Sequence, residues 1–257
     1  METGWLPDTP VGDTVLRRFL FNQAEANAAM AVAAGGRAED TDDVALADSG
    51  GPVAYFNEAI LRRPLTGVDD PVLDQVDRFF AADPGRTHML LSIWPTPDLA
   101  GRGWFLVGHP AFVVRGAFPA PHTPGPGVEV LEVRDPVALR TAERIAIEGY
   151  PIEGAEAGTV LPSGILDTGL LFRLGLLEGE PVGSGARYVG HGVVNLCFGA
   201  TLPAARRRGV WEALVWARVA DAPDLPAVAY TSDDSRPGFE RMGFVPTIRF
   251  TLWGRVQ

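Results

Sequence analysis

The stretch from Leu196 to Leu214 constrains the fold more than any other part of the chain. An apolar run ends at Pro203, then Arg206, Arg207, Arg208 and Gly209 follow, and helical apolar spacing resumes at Val210. A strand that passes through an Arg/Gly turn into a helix, with another strand at Ala227 to Thr231, defines one crossover unit. The turn also gathers backbone N–H groups that the first helical residues cannot pair within the helix. They sit at the positive end of the helix dipole. With three arginines beside them, these groups make a cradle suited to phosphate.

The segment from Ala117 to Gly127 holds four prolines and two glycines in eleven residues, which no helix or central strand accommodates. It divides the chain into residues 1–116, a linker over 117–127, and residues 128–257. In the second part, Val128 to Val133 alternates as a strand and Asp135-Pro136 starts a helix that ends near Gly149. A turn-rich loop covers 152–168. Three antiparallel strands follow, at 170–177, 181–189 and 193–202, with turns at Glu178 to Glu180 and at Gly190 to Gly192. Beyond the cradle, a helix over 209–221, the strand 227–231, a short helix around 237–242 and a last strand 247–253 complete an α+β pattern.

In the first part, the spacing predicts a helix over 14–34 capped by Asp13. Two short strands within 44–57 fold at Ser49 to Gly51, and a helix opens at Pro71. Strands follow at 89–94 and within 103–114. This makes a smaller α+β domain ahead of the main one.

Composition narrows the function. The 257 residues are 46% hydrophobic and 21% charged, as in a soluble globular protein. All 22 basic residues are arginine, which reads as the codon bias of a GC-rich genome. The net charge of −10 argues against nucleic acid and anionic membranes as partners, leaving the local patch at 206–208 for a small anion. A single cysteine, Cys197, excludes an intramolecular disulfide, and His88, His109, His122 and His191 show no metal-ligand spacing, so no metal is expected. With no apolar span and no leader at Met1 to Pro7, the expected location is the cytoplasm.

Three segments carry a resemblance: Gly179 to Val182 at the first hairpin, Ala200 to Gly209, and Ser232 to Phe244. Together, in this order, residues 128–253 resemble the GCN5-related N-acetyltransferase (GNAT) superfamily. Arg206, Gly209 and Trp211 fall on the family's acyl-CoA signature, (Arg/Gln)-x-x-Gly-x-(Gly/Ala), and Gly243-Phe244 on the Gly-Phe pair that ends its last-helix motif. The resemblance implies a mixed, mostly antiparallel sheet with flanking helices. It also implies that acetyl-CoA or CoA binds as co-substrate at Ala200, Thr201, Leu202, Arg206, Arg207, Arg208, Gly209, Val210, Trp211, Ser235 and Phe239. The strand before the cradle would splay at a bulge to admit pantetheine, and a backbone N–H near Thr201 would polarise the thioester carbonyl. The implied activity is transfer of acetyl to an amine of a small molecule or peptide by direct attack.

Two positions depart from the pattern. Trp211 stands where the family prefers Gly or Ala, so its ring must point away from the phosphates or cover the adenosine side. Phe239 stands where many members have a tyrosine that protonates the departing thiolate, which leaves Ser235 or a water as donor, or an unassisted thiolate. The base is equally open: Glu148, Glu153 and Glu156 lie around the acceptor-side loop, Asn195 on the splayed strand and Tyr188 on the strand before it. Cys197 and His191 read as a buried strand residue and an exposed turn residue. The first half repeats the order of the second, with the Asp-rich turn from Leu61 to Pro71 in place of the cradle, so it reads as a degraded copy that does not bind CoA. A non-catalytic CoA-binding or regulatory module, an inert interaction protein and a homo-oligomer remain open alternatives.

Overall fold

The computed structural model describes residues 14–81, 85–119, 124–150 and 155–256. The chain runs α1 (Val15–Ala33), β1 (Arg37–Asp40), β2 (Val44–Asp48), β3 (Asn57–Leu61), α2 (Pro71–Phe80), β4 (Thr87–Ser92), β5 (Phe105–Gly108) and β6 (Ala111–Arg115). It continues with β7 (Val128–Glu132), α3 (Pro136–Gly149), β8 (Leu170–Leu177), β9 (Glu180–Gly190), β10 (Val193–Thr201), α4 (Val210–Val219), β11 (Ala227–Thr231), α5 (Arg236–Arg241), β12 (Val245–Arg249) and β13 (Thr251–Val256).

These strands form a six-stranded sheet in the order β1-β2-β3-β4-β13-β5 and a seven-stranded sheet in the order β12-β6-β11-β10-β9-β8-β7. Each sheet is antiparallel except for one pair. β3 runs parallel to β4 with α2 crossing between them, and β10 runs parallel to β11 with α4 crossing between them. Each sheet also carries a strand from the other half of the chain. β6 lies between β11 and β12, while β13, at the far end of the sequence, lies between β4 and β5. The segment around 117–127 joins β6 to β7, both in the seven-stranded sheet, so a cut there divides the chain without dividing the sheets.

This exchange explains one difference from expectation. The single last strand over 247–253 is two strands, because the chain turns at Phe250 and passes from the edge of one sheet into the middle of the other. Phe250 is fully buried at the crossing, its ring 5.5 Å from Phe19 on α1 and 5.2 Å from Phe112 on β6. Ile60, Met89, Val193 and Val228, drawn from both sheets, close the same core around α1.

One helix start and two strands also differ. The Thr14 hydroxyl accepts from the Arg17 N–H at 3.3 Å and so caps α1, while Asp13 lies outside the described residues. The second strand of the first pair begins only at Asn57, after a short helical turn over Ala54–Phe56. Asn57 is buried there, with its carbonyl oxygen accepting from Ser49 N and Oγ. β1 is an additional strand, mostly exposed and pairing with β2. Among the described residues, no helix is long and apolar enough to cross a membrane.

Candidate active site

β10 pairs with β11 only at Val194↔Ala227 and Asn195↔Val228. Beyond that point β10 carries an irregularity between Cys197 and Ala200 against β9, with Phe198 in the left-handed region at φ 53°. A bulge adds twist and bends its strand. The Phe198 ring holds it in place, stacking on Phe172 at 5.8 Å and meeting Phe56 edge-on at 5.5 Å. β11 meanwhile stays in register with β6 along its whole length. One strand bends away while its neighbour is held, and a cavity of about 470 Å³ opens between them.

The cradle follows β10 beyond the bulge, where the chain enters α4. Gly209 takes the N-cap position of α4 at φ 82°, with no side-chain cap, and Arg207 is also left-handed at φ 63°. Among the described residues, no backbone carbonyl outside the helix accepts from the N–H groups of 207–211. Nothing lies within 4 Å of where a Gly209 Cβ would stand, so the approach is open. Val210 is buried instead, because the Cβ-free Gly175 and Gly183 let its side chain reach the sheet. The first turn of α4 therefore leaves its backbone N–H groups unpaired.

The three arginines divide their work. Arg206 turns inward, donating to the carbonyls of Thr201 (3.3 Å) and Gly149 (2.8 Å), so it ties the end of β10 to the end of α3. Arg208 pairs with Glu178 at 3.1 Å on the surface. Arg207 is exposed and makes no hydrogen bond or ion pair with any described residue, leaving its charge unpaired beside the N–H groups. Of the strand residues, Ala200 lines the cavity, Thr201 is buried, and Leu202 donates its N–H back to Val182.

Trp211 leaves the cradle and lies over Gly238 on α5, its ring edge-on to the buried Phe239 at 4.9 Å. Both rings line the cavity, as does Ser235, whose hydroxyl shares a 3.1 Å hydrogen bond with Ser232.

Of the base candidates among the described residues, only Asn195 reaches the opening. It is 1% exposed, and its amide donates to Gln23 at 2.8 Å. Gln23 then donates to Asn27 at 3.0 Å, and Asn27 to the buried Glu58 carboxylate at 2.6 Å. Burial pushes Glu58 up to about 7 against the amide hydrogen bonds that hold it down. Glu148 is half exposed on α3 and paired with Arg144, away from the cavity. Glu156 is an exposed loop residue, and Glu153 lies outside the described residues. Tyr188, on β9, packs against Gly169 and Gly190, with burial pushing its hydroxyl up to about 12.

Cys197 lines the cavity with its thiol pushed up to about 12 by burial, so it is no nucleophile at neutral pH. His191 sits in the turn at φ 50°, bonded to Glu25 at 3.0 Å and stacked on Phe21. Among the described residues, no His, Cys, Asp and Glu side chains group as metal ligands.

Sequence reasoning missed Gln23, Asn27 and Tyr55 from the first half, and Arg218 from α4, all of which line the cavity. Gln23 and Asn27 stand one turn apart on α1, a spacing that marks one face without revealing what it faces. It also missed Glu143, whose buried carboxylate accepts from the N–H groups of Gly158, Val160 and Leu161 at 2.6–2.7 Å and so fixes the loop beside Tyr150.

No protein-family model matches the chain, and no curated protein matches it in sequence. Solved structures do match. A GCN5-related N-acetyltransferase from Kribbella flavida is 20% identical, with 96% of this chain and 97% of that one covered and a TM-score of 0.67. A GCN5-related N-acetyltransferase from Sphaerobacter thermophilus is 13% identical, covering 95% and 94% of the two chains with a TM-score of 0.54. The likeness takes in both halves together, and it is a likeness of fold.

Proposed function

We propose that this chain, which has the GCN5-related N-acetyltransferase fold, transfers acetyl from acetyl-CoA to an amine of a small molecule or peptide. The observation that carries the reading is the parted β10–β11 pair ending at an uncapped helix start. The residues fit the co-substrate. Unpaired N–H groups over 207–211, with Arg207 free to close on them, suit the pyrophosphate. The strand past the bulge offers backbone to the pantetheine arm. Phe198 and Gly199 fall out of register with β9, so their N–H groups, rather than one near Thr201, suit the thioester carbonyl as its negative charge develops.

The co-substrate supplies the activated acyl group, and the protein holds it open to attack. The acceptor enters on the side lined by Gln23, Asn27, Tyr55 and Tyr150, where the first half of the chain completes the cleft. The amide chain ending on Glu58 points every donor toward that carboxyl group, which leaves the Asn195 carbonyl oxygen to accept a hydrogen bond from the amine.

Calorimetric titration tests this reading. Acetyl-CoA binds the intact protein, and Gly209→Asp, which strains a left-handed position and sets a carboxylate at the cradle, weakens binding by about a hundredfold or more. No binding by the intact protein overturns the reading. A second reading, a non-catalytic CoA-binding module, draws on the absence of a proton donor at Phe239. Free-thiol release in a screen of amines separates the two, since turnover with any amine removes the second.

A further inference from the structure

Helix α4 buries an arginine against the bulge. Arg218 is 1% exposed, and its guanidinium donates from Nε to the Leu214 carbonyl (2.9 Å) and from Nη1 to the carbonyls of Ala186 (2.9 Å) and Cys197 (3.0 Å). The sheet is cut away to admit it: a Cβ on Gly185 would stand 2.8 Å from the guanidinium carbon. These bonds account for the carbonyls that the bulge frees, but not for the charge. Among the described residues no carboxylate bonds Arg218. Asp221, whose charge acts on Arg218, is itself held by Arg173 and Arg187, with Arg187 Nε at 2.9 Å. A buried charge without a counter-ion is costly, and it favours any anion that reaches it.

The remaining nitrogen, Nη2, makes no hydrogen bond with any described residue, and Arg218 lines the cavity. Nη2 is 3.7 Å from where a Gly199 Cβ would stand, and the indole Nε1 of Trp211 is 3.5 Å from the same point. Two N–H groups thus converge on the bulge from the α4 side. Phe239, in the same wall, has no proton to give.

Resting on the reading above, we infer that Arg218 is the electrostatic partner of the thiolate that leaves when acetyl is transferred. The amine lone pair adds to the thioester carbon. Collapse of the adduct breaks the C–S bond with its electron pair going to sulfur, and the amine proton passes to water. Sulfur then departs as an anion, stabilised by a fixed charge instead of by proton transfer. The groups around Arg218 support this role. Arg173 on β8 and Arg187 on β9 are of like sign, with only Asp221 between them, and the Cys197 thiol, pushed up to about 12, stays neutral. Burial lowers Arg218 to about 10, so it keeps its proton at neutral pH.

The test reads the thiol directly and needs no acceptor. The ultraviolet thiolate absorbance of CoA bound to the intact protein is titrated against pH, with the desulfo-CoA complex as blank to remove protein groups. The bound thiol is expected to ionise about one pH unit or more below free CoA, a tenfold gain in thiolate. Arg218→Met, still binding CoA, returns it to the free value, and Arg218→Lys keeps part of the shift. A bound thiol that titrates like free CoA overturns the inference, as does a shift that survives Arg218→Met. Should Arg218→Met fail to fold, the intact protein decides alone. CoA must gain in affinity over desulfo-CoA as the pH rises through the bound thiol's ionisation, approaching tenfold above that of the free thiol, and no gain overturns it. Failure of both CoA and desulfo-CoA to bind overturns the parent reading instead.

Discussion

At residues 61–72 the chain leaves β3 and turns into α2, and at residues 201–212 it leaves β10 and turns into α4. Each turn follows the central strand of its sheet's one parallel pair, and each opens the helix that crosses to the next strand. The chemistry at the two corners is opposite. In the first, the Asp70 carboxylate caps α2, accepting from Val72 N (3.0 Å), Thr66 N and Oγ (2.9 Å each) and both terminal nitrogens of Arg63 (2.7 and 2.9 Å). In the second, Gly209 stands at the cap position and no side chain fills the space. The Asp70 carboxylate occupies the place that an anionic ligand would take, held well below the usual carboxylate range by Arg63. The first corner carries an anion in its own sequence, and the second leaves the corresponding place open.

Four changes break or sharpen this contrast. The largest effect addresses its premise, that both corners belong to one cooperative body. Phe250→Ala removes the ring packed against Phe19 and Phe112 where the chain changes sheets. It should cost about 4 kcal/mol and lower a single transition seen alike by circular dichroism and by tryptophan fluorescence in denaturant. Two separated transitions would mean that the sheets unfold independently.

Asp70→Ala opens the first corner. Loss of the cap and of Arg63's buried partner should lower stability by about 3 kcal/mol at pH 7, without creating affinity for CoA. Because the Asp70 carboxyl is depressed from its ordinary 3.8, its contribution is whole above that value and fades as the pH falls below it. Chemical denaturation of intact and variant protein should therefore converge in acid. Convergence in alkali instead would contradict the assignment.

Glu58 has the reverse sign. Raised from 4.5 to about 7, it binds its proton more tightly in the folded chain, so stability is full below pH 4.5 and declines as the pH rises toward 7. Glu58→Gln should flatten a slope worth about 3 kcal/mol, read from denaturation midpoints at several pH values. An unchanged slope would place its cause elsewhere. Smallest is Arg207→Glu at the open corner, expected to weaken CoA about tenfold in calorimetry at low salt while leaving the melting temperature unmoved. Equal binding would leave the cradle to its backbone alone.

Much of the second corner was legible in the chain itself. The run from Leu196 to Leu214 announces strand, turn and helix, and Asp69, Asp70 and Pro71 distinguish the first corner by local chemistry. The side chains that meet in the cleft were far less so. Arg206 looks like a phosphate ligand in sequence and instead holds two carbonyls, because the end of α3 lies within its reach only once the sheet forms. Glu148 looked able to serve as a base, yet the helical repeat that buries Ile145 turns it outward. Arg218 reads as an ordinary late-helix arginine until Gly185, on another strand, is seen to make room for it.

By itself, the sequence determined what periodicity and local backbone preference can fix: the elements, the turn that starts α4 and the α+β class. The tertiary structure alone decided which strand completes which sheet, because β6 and β13 carry no local mark of the half they join. Strand pairing depends on what is buried on both faces after collapse, and Phe250 can be satisfied only where the two sheets meet around α1. The same collapse brought Gln23 and Asn27, more than 160 residues away in the chain, to the wall behind Asn195.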